Sequence, residues 1–454
     1  MPSDSPVSIN TLFELSRRSF QAFDASMKAA SQNVANANTE GYDRRRVTLE
    51  ASNTVAPGLY AAPGEAEATG NGVTVASYER MRDRLLDASA ARAQTNLGAA
   101  TEEGRVLTQL EGALATGTEG ALTETLESFW DGWGRVANNP EDPGVRNTLL
   151  SKTDTLVASF QRLDRSISQR TTDTQEALAT RVEAANGQLE EVASLNATIR
   201  EARANGSPDL VAEDRRDTLV NDLSESLPVE VQENDSGYTL TVNGMNVVQG
   251  DESTPLTLAS PGTVEFGDTG VAFQPGDEGG GTIGAQVRLL NDTLPTVQND
   301  LDALAQTVVE DVNALHENGY DQDGTTNTPY FDPAGTTAGT MQRAVTDPAD
   351  VAAYGAPNAP GNTAPAQDIA ALSESLTPQA IDLAAGIGAK VEHATAQEES
   401  QSALAGHLDS MARGVSGVSI DEEMTNLIEH QQAFAASTRV LRTAQTVMDT
   451  LLSI

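Results

Sequence analysis

Two apolar stripes, one at each end of the chain, constrain the fold of this sequence most. The C-terminal stripe repeats every seven residues, the period of a helix that packs along another helix. Its main positions are Ile420, Leu427, Phe434, Leu441 and Met448, with Met424 and Leu452 in the second row and Gln431, Thr438 and Gln445 as polar interruptions. The N-terminal stripe, spaced by fours and threes and interrupted at Ser16, consists of Ile9, Phe13, Phe20, Phe23, Met27, Ala30 and Val34.

A helix with one narrow apolar stripe leaves that stripe in water unless a second helix covers it. Because the chain carries such a stripe at each end, we expect its ends to pair as a coiled-coil end domain. Ser419 and Glu422 form a capping-box pattern that marks the start of the C-terminal helix. The alternative is an ordinary amphipathic helix on a globular core, which the periodicity alone leaves open.

Between the stripes, the sequence predicts a mainly α fold with an inserted β-rich module. Val73 and Val75 alternate like a short strand, and a helical period then opens near Tyr78. Clusters of asparagine, proline and glycine predict breaks in the helical part at 138–144 and 205–208. The helical period stops at Pro228, after which apolar residues alternate around the hairpin signal Asn243-Gly244. We expect 1–50 and 419–454 to form the two halves of the helical end domain. The remaining segments are a helical inner domain (51–226), a β-rich outer module (227–282), a returning helix (283–320), an irregular excursion (321–365) and further inner-domain helices (366–418).

The composition excludes several partners and chemistries. The chain of 454 residues has 66 acidic against 28 basic side chains, a net charge of -38 and no cysteine. So large an acidic excess repels nucleic acid and anionic membranes, and the lack of cysteine excludes disulfides and thiolate sites. The acidity fits either a solubility surface or a high-salt environment, in which ions screen the self-repulsion.

Neither a membrane span nor a cleaved signal peptide is expected. No stretch approaches the ~18 consecutive apolar residues of a transmembrane helix. Residues 1–24, MPSDSPVSINTLFELSRRSFQAFD, lack a basic start followed by an apolar core and a small-residue cleavage site.

No motif for catalysis or cofactor binding is evident, so we expect neither an enzyme nor a bound cofactor. No two of the four histidines have the i, i+4 spacing of a zinc helix, and no GxSxG, Walker A or dinucleotide-binding glycine signature occurs. The Asp-Gln-Asp-Gly stretch at 321–324 fails the EF-hand spacing, so a polar turn is favoured there over a metal site in 321–332. The basic run 44–46 either is solvated or faces an acidic subunit surface.

Both ends resemble a known family. Residues 31–42, SQNVANANTEGY, resemble the N-terminal motif of the bacterial flagellar axial proteins, and 421–437, DEEMTNLIEHQQAFAAS, are similar to their closing helix. Interior motifs, LNATI at 195–199, DRRD at 214–217 and NALHENGYD at 313–321, resemble the hook-associated protein 1 family in colinear order. The resemblance implies a flagellin-like multidomain architecture. The motif positions are Asn33, Asn36, Thr39, Gly41 and Tyr42.

The resemblance also implies a function, a non-enzymatic structural component at the junction between flagellar hook and filament. It implies self-assembly into a ring or helical tube, with the hook protein, hook-associated protein 3 and a flagellar export chaperone as partners. The chain is then exported without a cleaved signal peptide to an extracellular position, and its apolar stripes form the assembly seam. The alternatives are hook-associated protein 3 or a flagellin-like filament protein and, in another class, a secreted acidic adhesin or ligand-binding protein.

Overall fold

The chain divides into two compact units. In the computed structural model, the residues described are 9–39, 41–52, 72–114, 121–234, 237–276 and 279–452, with side chains described from residue 13 to residue 450. The end unit comprises Met1–Ala90, Ala197–Leu219 and Gly406–Ile454, and the inner unit comprises Ala91–Asn196 and Val220–Ala405. The end unit is larger than the end domain expected from the sequence, because it takes in a β-hairpin and an acidic helical segment as well as the terminal helices.

Two long helices and a hairpin form the framework of the described end unit. Helix α1 (Ile9–Ala35) packs against helix α10 (Ile420–Leu452), so the expected pairing of the terminal helices is confirmed. Strands β1 (Arg45–Ala51) and β2 (Val73–Arg80) pair antiparallel and lie against α1. The start of α10 agrees with the capping prediction, since the backbone N–H of Glu422 points at the Ser419 hydroxyl, 3.5 Å away.

The hairpin corrects two sequence predictions. The sequence indicates a short strand near residue 73 without a partner and a helix from Tyr78. Instead, β2 continues to Arg80, and helix α2 begins at Arg84. Strand β1 escapes recognition because it reads RRVTLEA, in which Arg45 occupies a half-buried place that an apolar residue normally takes. Arg45 is held there by Asp214, far along the chain, which no local pattern reveals.

The remaining helices confirm the mainly α prediction. The predicted break at 138–144 contains the interruption between α3 and α4, which spans 139–142, and the predicted break at 205–208 lies between α4 and α5. The helices are α2 (Arg84–Leu114), α3 (Leu122–Asn138), α4 (Pro143–Ala204), α5 (Leu210–Ser226), α6 (Gly281–Arg288), a π-helical turn (Leu289–Thr293), α7 (Leu294–Glu317), α8 (Ala364–Ala371) and α9 (Ser373–Ser416).

The inserted β-rich module is confirmed in the inner unit. Its four-stranded antiparallel sheet has the order β3 (Val229–Asn234), β4 (Gly237–Val242), β5 (Met245–Gln249) and β6 (Glu252–Ser253), beside a hairpin of β7 (Leu256–Ser260) and β8 (Thr263–Phe266).

A tight turn and a buried asparagine fix that module. The predicted turn joins β4 to β5, with Asn243 and Gly244 both at positive φ, 50° and 79°. Buried Asn196 of α4 donates from Nδ2 to the carbonyls of Tyr238 (2.9 Å) and Gly250 (2.8 Å), and its Oδ1 accepts from the Tyr238 N–H at 3.0 Å. The LNATI motif is therefore an internal anchor of the β module.

The irregular excursion is held to the inner unit by buried polar side chains. Arg146 is fully buried and donates to the carbonyls of Pro140 (2.6 Å), Pro348 (2.9 Å) and Val351 (2.7 Å). His316, also fully buried, lies with Nδ1 2.7 Å from the Thr328 carbonyl while Nε2 accepts the Ala352 N–H at 2.8 Å. The NALHENGYD motif thus stabilises a segment that has almost no regular secondary structure of its own.

Candidate functional site

The paired terminal helices of the end unit are the candidate functional site. Phe20 of α1 packs edge-on against Phe434 of α10, with ring centroids 4.9 Å apart, and Asn33 near the end of α1 bonds to Glu423 near the start of α10. Residue numbers rise along one helix while they fall along the other, so α1 and α10 run antiparallel. The two chain ends are thereby joined into one structure.

The predicted seam residues divide into two groups. Phe13, Phe20, Phe23, Met27 and Val34 are half-buried on α1, as are Leu427, Phe434 and Leu441 on α10. Three α10 residues are largely exposed instead: Ile420 (48%), Met424 (45%) and Met448 (39%). The side chains of Ile9 and Leu452 lie outside the described residues.

The second row of the C-terminal heptad pattern differs from the prediction. The positions that turn inward are Glu423, His430, Ser437 and Ala444, three residues after each main position, and Gln431 and Gln445 are exposed. Met424 therefore lies outside the contact between α1 and α10. The physical reason is Glu423, which is 3% exposed because its carboxylate is held by partners on α1 and beside β1, whereas the more apolar Met424 next to it is turned outward.

Asn33 is the central hydrogen-bonding residue of the site. It is 1% exposed, and its Nδ2 donates to the Arg45 carbonyl (2.9 Å) and to Oε2 of Glu423 (3.0 Å). Its Oδ1 accepts from the Arg45 N–H and the Tyr42 hydroxyl, both at 2.9 Å. An asparagine amide has two donors and two acceptor sites, so every one is used. Asn33 thus links α1 to β1, to the turn and to α10.

The turn after α1 is closed by the other motif residues. The backbone N–H of Thr39 donates to the Asn36 carbonyl at 2.9 Å, and the side-chain Nδ2 of Asn36 donates back to the Gln32 carbonyl at 3.0 Å. Gly41 has φ +75°, and a Cβ at this position would lie 2.4 Å from the Thr218 hydroxyl oxygen. Both the backbone angle and the space therefore require glycine.

Arg44 completes the connection to α10. Its guanidinium contacts the Glu423 carboxylate through Nε (2.8 Å) and Nη2 (2.7 Å), and its Nη1 contacts Glu422 at 3.0 Å. Its backbone N–H also donates to the Ser416 carbonyl at 2.8 Å. From the sequence, the basic run 44–46 was expected either to be solvated or to face an acidic surface of a neighbouring subunit. Arg44 and Arg45 instead pair within their own chain.

A second ionic cluster lies at the base of the hairpin. Arg80 contacts Oδ1 of Asp214 at 3.2 Å and Oε2 of Glu213 at 3.1 Å, while Arg45 contacts Oδ2 of Asp214 at 3.0 Å. Burial raises the pKa of Asp43 to about 6, even though the nearby Arg82 and Arg80 act to lower it. The full cluster consists of Arg45, Arg80, Arg82, Asp43, Glu213, Asp214 and Asp217.

This cluster gives the DRRD motif a structural role that sequence reasoning missed. The acids of α5 hold both edges of the hairpin, since Arg45 lies opposite Arg80 in the β1–β2 register. The signal available in the sequence was a run of arginines in an otherwise acidic chain, because a buried arginine needs a carboxylate partner. Their partners are far away along the chain, so spacing alone does not identify them.

The structure offers no metal-binding arrangement at Asp321. Its Oδ1 accepts from the backbone N–H of Asp323 (2.9 Å) and of Thr325 (2.7 Å), which is the geometry of a polar turn. In the part of the chain that the structure describes, no group of three or more His, Asp or Glu side chains is arranged to hold a metal ion. Among the helices of that same part, none has the length and apolarity needed to cross a membrane.

Comparison with known proteins relates the chain to proteins of the bacterial flagellum. Residues 107–331 match the family model described as flagellar hook-associated protein FlgK helical domain. Residues 414–454, which include α10, match the model described as flagellar basal body rod FlgEFG protein C-terminal.

Curated relatives agree with the family models. The flagellar hook-associated protein 1 of Bacillus subtilis is 26% identical, over 97% of this chain and 97% of its own length. Its counterpart in Escherichia coli is 27% identical over 71% of this chain and 60% of its own length. The one in Salmonella typhimurium is 29% identical over 71% of this chain and 59% of its own length. The chain therefore spans nearly all of the Bacillus relative but only three fifths of the other two.

A solved structure is also similar, that of the flagellar hook junction protein FlgK from Burkholderia pseudomallei. It has 27% sequence identity and a TM-score of 0.48, over 54% of this chain and 46% of that chain.

The terminal helices run antiparallel and are locked by a turn motif, and the interior and the C-terminal segment match flagellar family models. These features are typical of a structural protein of the flagellar axis. The colinear match along the whole chain is to one branch of that class. The helical-domain model and the curated relatives are all of flagellar hook-associated protein 1 (FlgK), which this chain resembles along its length.

Proposed function

We propose that this chain forms the junction between the hook and the filament of the bacterial flagellum by self-assembly into a ring or helical tube. The observation that carries the proposal is the end unit, in which Asn33, Arg44 and Glu423 join the two chain ends. Such a unit presents the same surfaces on every copy. Copies that pack head to tail through unlike surfaces generate a ring or a helix.

The neighbours belong to this proposal as well. The hook protein on one side and hook-associated protein 3 on the other are the partners that a junction protein contacts, and a flagellar export chaperone accompanies the chain before assembly. Export without a cleaved signal peptide places the assembled protein outside the cell. The similarity to hook-associated protein 1 and the terminal pairing of α1 with α10 support these roles. The proposal includes no enzymatic activity.

The terminal helix provides the test. A variant that lacks residues 420–454 removes the partner of α1, so it should not be incorporated into flagella and cells that depend on it should not swim. Its inner unit should keep the denaturant midpoint of the full chain, because α7 and the excursion lie outside the deleted part. Normal junction assembly by this variant would sink the proposal.

Two further observations separate the alternatives. A flagellin-like filament protein would label along the whole filament, and hook-associated protein 3 would be absent from flagella that end at the hook. A secreted adhesin predicts that motility survives deletion of the gene. The junction proposal predicts loss of motility.

A further inference from the structure

An apolar stripe on α10 faces away from the rest of the end unit. Ile420, Met424 and Ile428 are 48%, 45% and 49% exposed. A spacing of four residues advances about 40° around a helix, so the three side chains form one continuous row, which we call the α10 stripe. Glu423 and His430 point elsewhere, because both line a cavity against β1. The stripe therefore has no partner among the described residues of its own chain.

A groove with apolar walls lies elsewhere on the end unit. It has a volume of about 850 Å³ and is bounded by α1, β2 and the segment between α4 and α5. We call it the hairpin groove. Its walls include Val75, Tyr78 and Val211, and the last two are 43% and 66% exposed. Covering exposed apolar side chains such as these is favourable, so they mark a surface that binds a partner.

The charges around these two surfaces are complementary. The hairpin groove carries Lys28 and Arg203, whose side chains are 72% and 41% exposed, in a chain with only 28 basic residues against 66 acidic ones. Lys28 is paired with exposed Asp24, and an exposed ion pair is weak and exchanges partners readily, whereas Arg203 is held by Glu213, whose side chain is 7% exposed.

Acids flank the α10 stripe. Asp421 is exposed beside the apolar row, about 20° around the helix from Ile428, and Glu429, which follows Ile428 in the chain, is exposed as well. An acidic stripe edge therefore meets a basic groove edge when the two surfaces come together, which favours this orientation over a contact between two stripes.

We propose that the α10 stripe of one copy docks in the hairpin groove of the next copy. This inference rests on the proposed assembly function and names the surfaces that carry it. The contact joins two different surfaces of identical chains, so it is heterologous and repeats around a ring or along a helix. The occupant of the groove is thus a second copy of this chain, with Met424 near Val211 across the interface.

The absence of cysteine allows a direct test in assembled flagella. Two full-length variants, Met424→Cys and Val211→Cys, are expressed together in cells that lack their own copy of the gene, and the isolated flagella are oxidised. We expect disulfide-linked dimers when both variants are present and at least ~10-fold fewer with either variant alone. Dimers from Met424→Cys alone would overturn the inference, because they indicate stripe-to-stripe packing.

A matched control uses another exposed position on the same helix. Val440 is 46% exposed and lies about 160° around α10 from Met424, so Val440→Cys should not crosslink to Val211→Cys. Equal crosslinking by both positions would contradict the proposed surface. Lys28→Glu should lower the yield of the Met424–Val211 crosslink several-fold, and Asp421→Lys in the partner variant should restore it.

The same preparation distinguishes the two levels of the proposal. If the unmodified chain is not incorporated into flagella, the assembly function and the interface both fail. If the variants are incorporated and the cells swim but no crosslink joins residues 424 and 211, only the interface is wrong. A crosslink from residue 424 to a protein of different mass also overturns it.

Discussion

Replacement of Asn33 by alanine should loosen the pairing of the chain ends. The change leaves the Arg45 N–H and carbonyl, the Tyr42 hydroxyl and one Glu423 oxygen without the partner they have in the native site. Each buried polar group left unsatisfied costs about 1–3 kcal/mol, and water entering the vacated space recovers part of this. We expect the free energy of opening of α10 to fall by about 3 kcal/mol, which is roughly a 100-fold change in the opening equilibrium.

Amide hydrogen exchange measures that opening helix by helix. At constant pH and temperature, exchange in residues 423–437 of α10 should accelerate about 100-fold in Asn33→Ala, while α7 of the inner unit keeps its wild-type rate. Asn36→Ala is the matched control. Asn36 makes its bonds at the surface, to the Gln32 carbonyl and the Thr39 hydroxyl, so its loss should cost no more than about 0.5 kcal/mol. Equal rates in the two variants would refute the role assigned to Asn33.

Three other perturbations test the physical reasoning. Gly41→Ala should destabilise the end unit by about 1–3 kcal/mol in chemical denaturation, and Thr218→Ala should recover only part of this, because the positive φ remains. Burial lowers the pKa of His316 from 6.5 to about 4, so near pH 5 the unfolded chain binds a proton that the folded chain does not. The free energy of unfolding of the inner unit should therefore fall by about 2 kcal/mol between pH 7 and pH 5. His316→Gln should remove that pH dependence. The pH dependence from Asp43 has the opposite sign, because burial raises the pKa of this carboxyl from 3.8 to about 6. Its contribution to stability is present below pH 3.8 and is lost as the pH rises through 6. Asp43→Asn should therefore stabilise the end unit at pH 7 by up to ~3 kcal/mol, as measured by amide exchange in β1.

Local signals in the sequence predicted much of the architecture. Heptad spacing indicated α1 and α10, proline and glycine clusters marked the ends of α3, α4 and α5, and Asn243-Gly244 identified the β4–β5 turn. Each of these features is decided by residues that lie close together in the chain, so each is visible without tertiary structure. The family motifs extended the prediction to function.

Features that depend on distant partners were not predictable in the same way. Strand β1 is hidden by Arg45, which becomes favourable in the strand only when Asp214 approaches it. The inward row of α10 begins at Glu423, which hydrophobic periodicity places at the surface, because a carboxylate on a seam requires partners such as Asn33 and Arg44. Sequence periodicity counts apolar residues, and the decisive contacts here are ionic.

The measurement that tests the central claim most directly is the position of the chain on the flagellum. Val231 on β3 is 43% exposed and far in sequence from the α10 stripe and the hairpin groove, so Val231→Cys provides the single labelling site in a chain without cysteine. If the chain forms the hook–filament junction, isolated flagella should carry one short labelled band where the hook meets the filament. The same band should appear at the tip of hooks that lack a filament. Label along the filament, or no label on flagella from cells that swim with this variant, would contradict it.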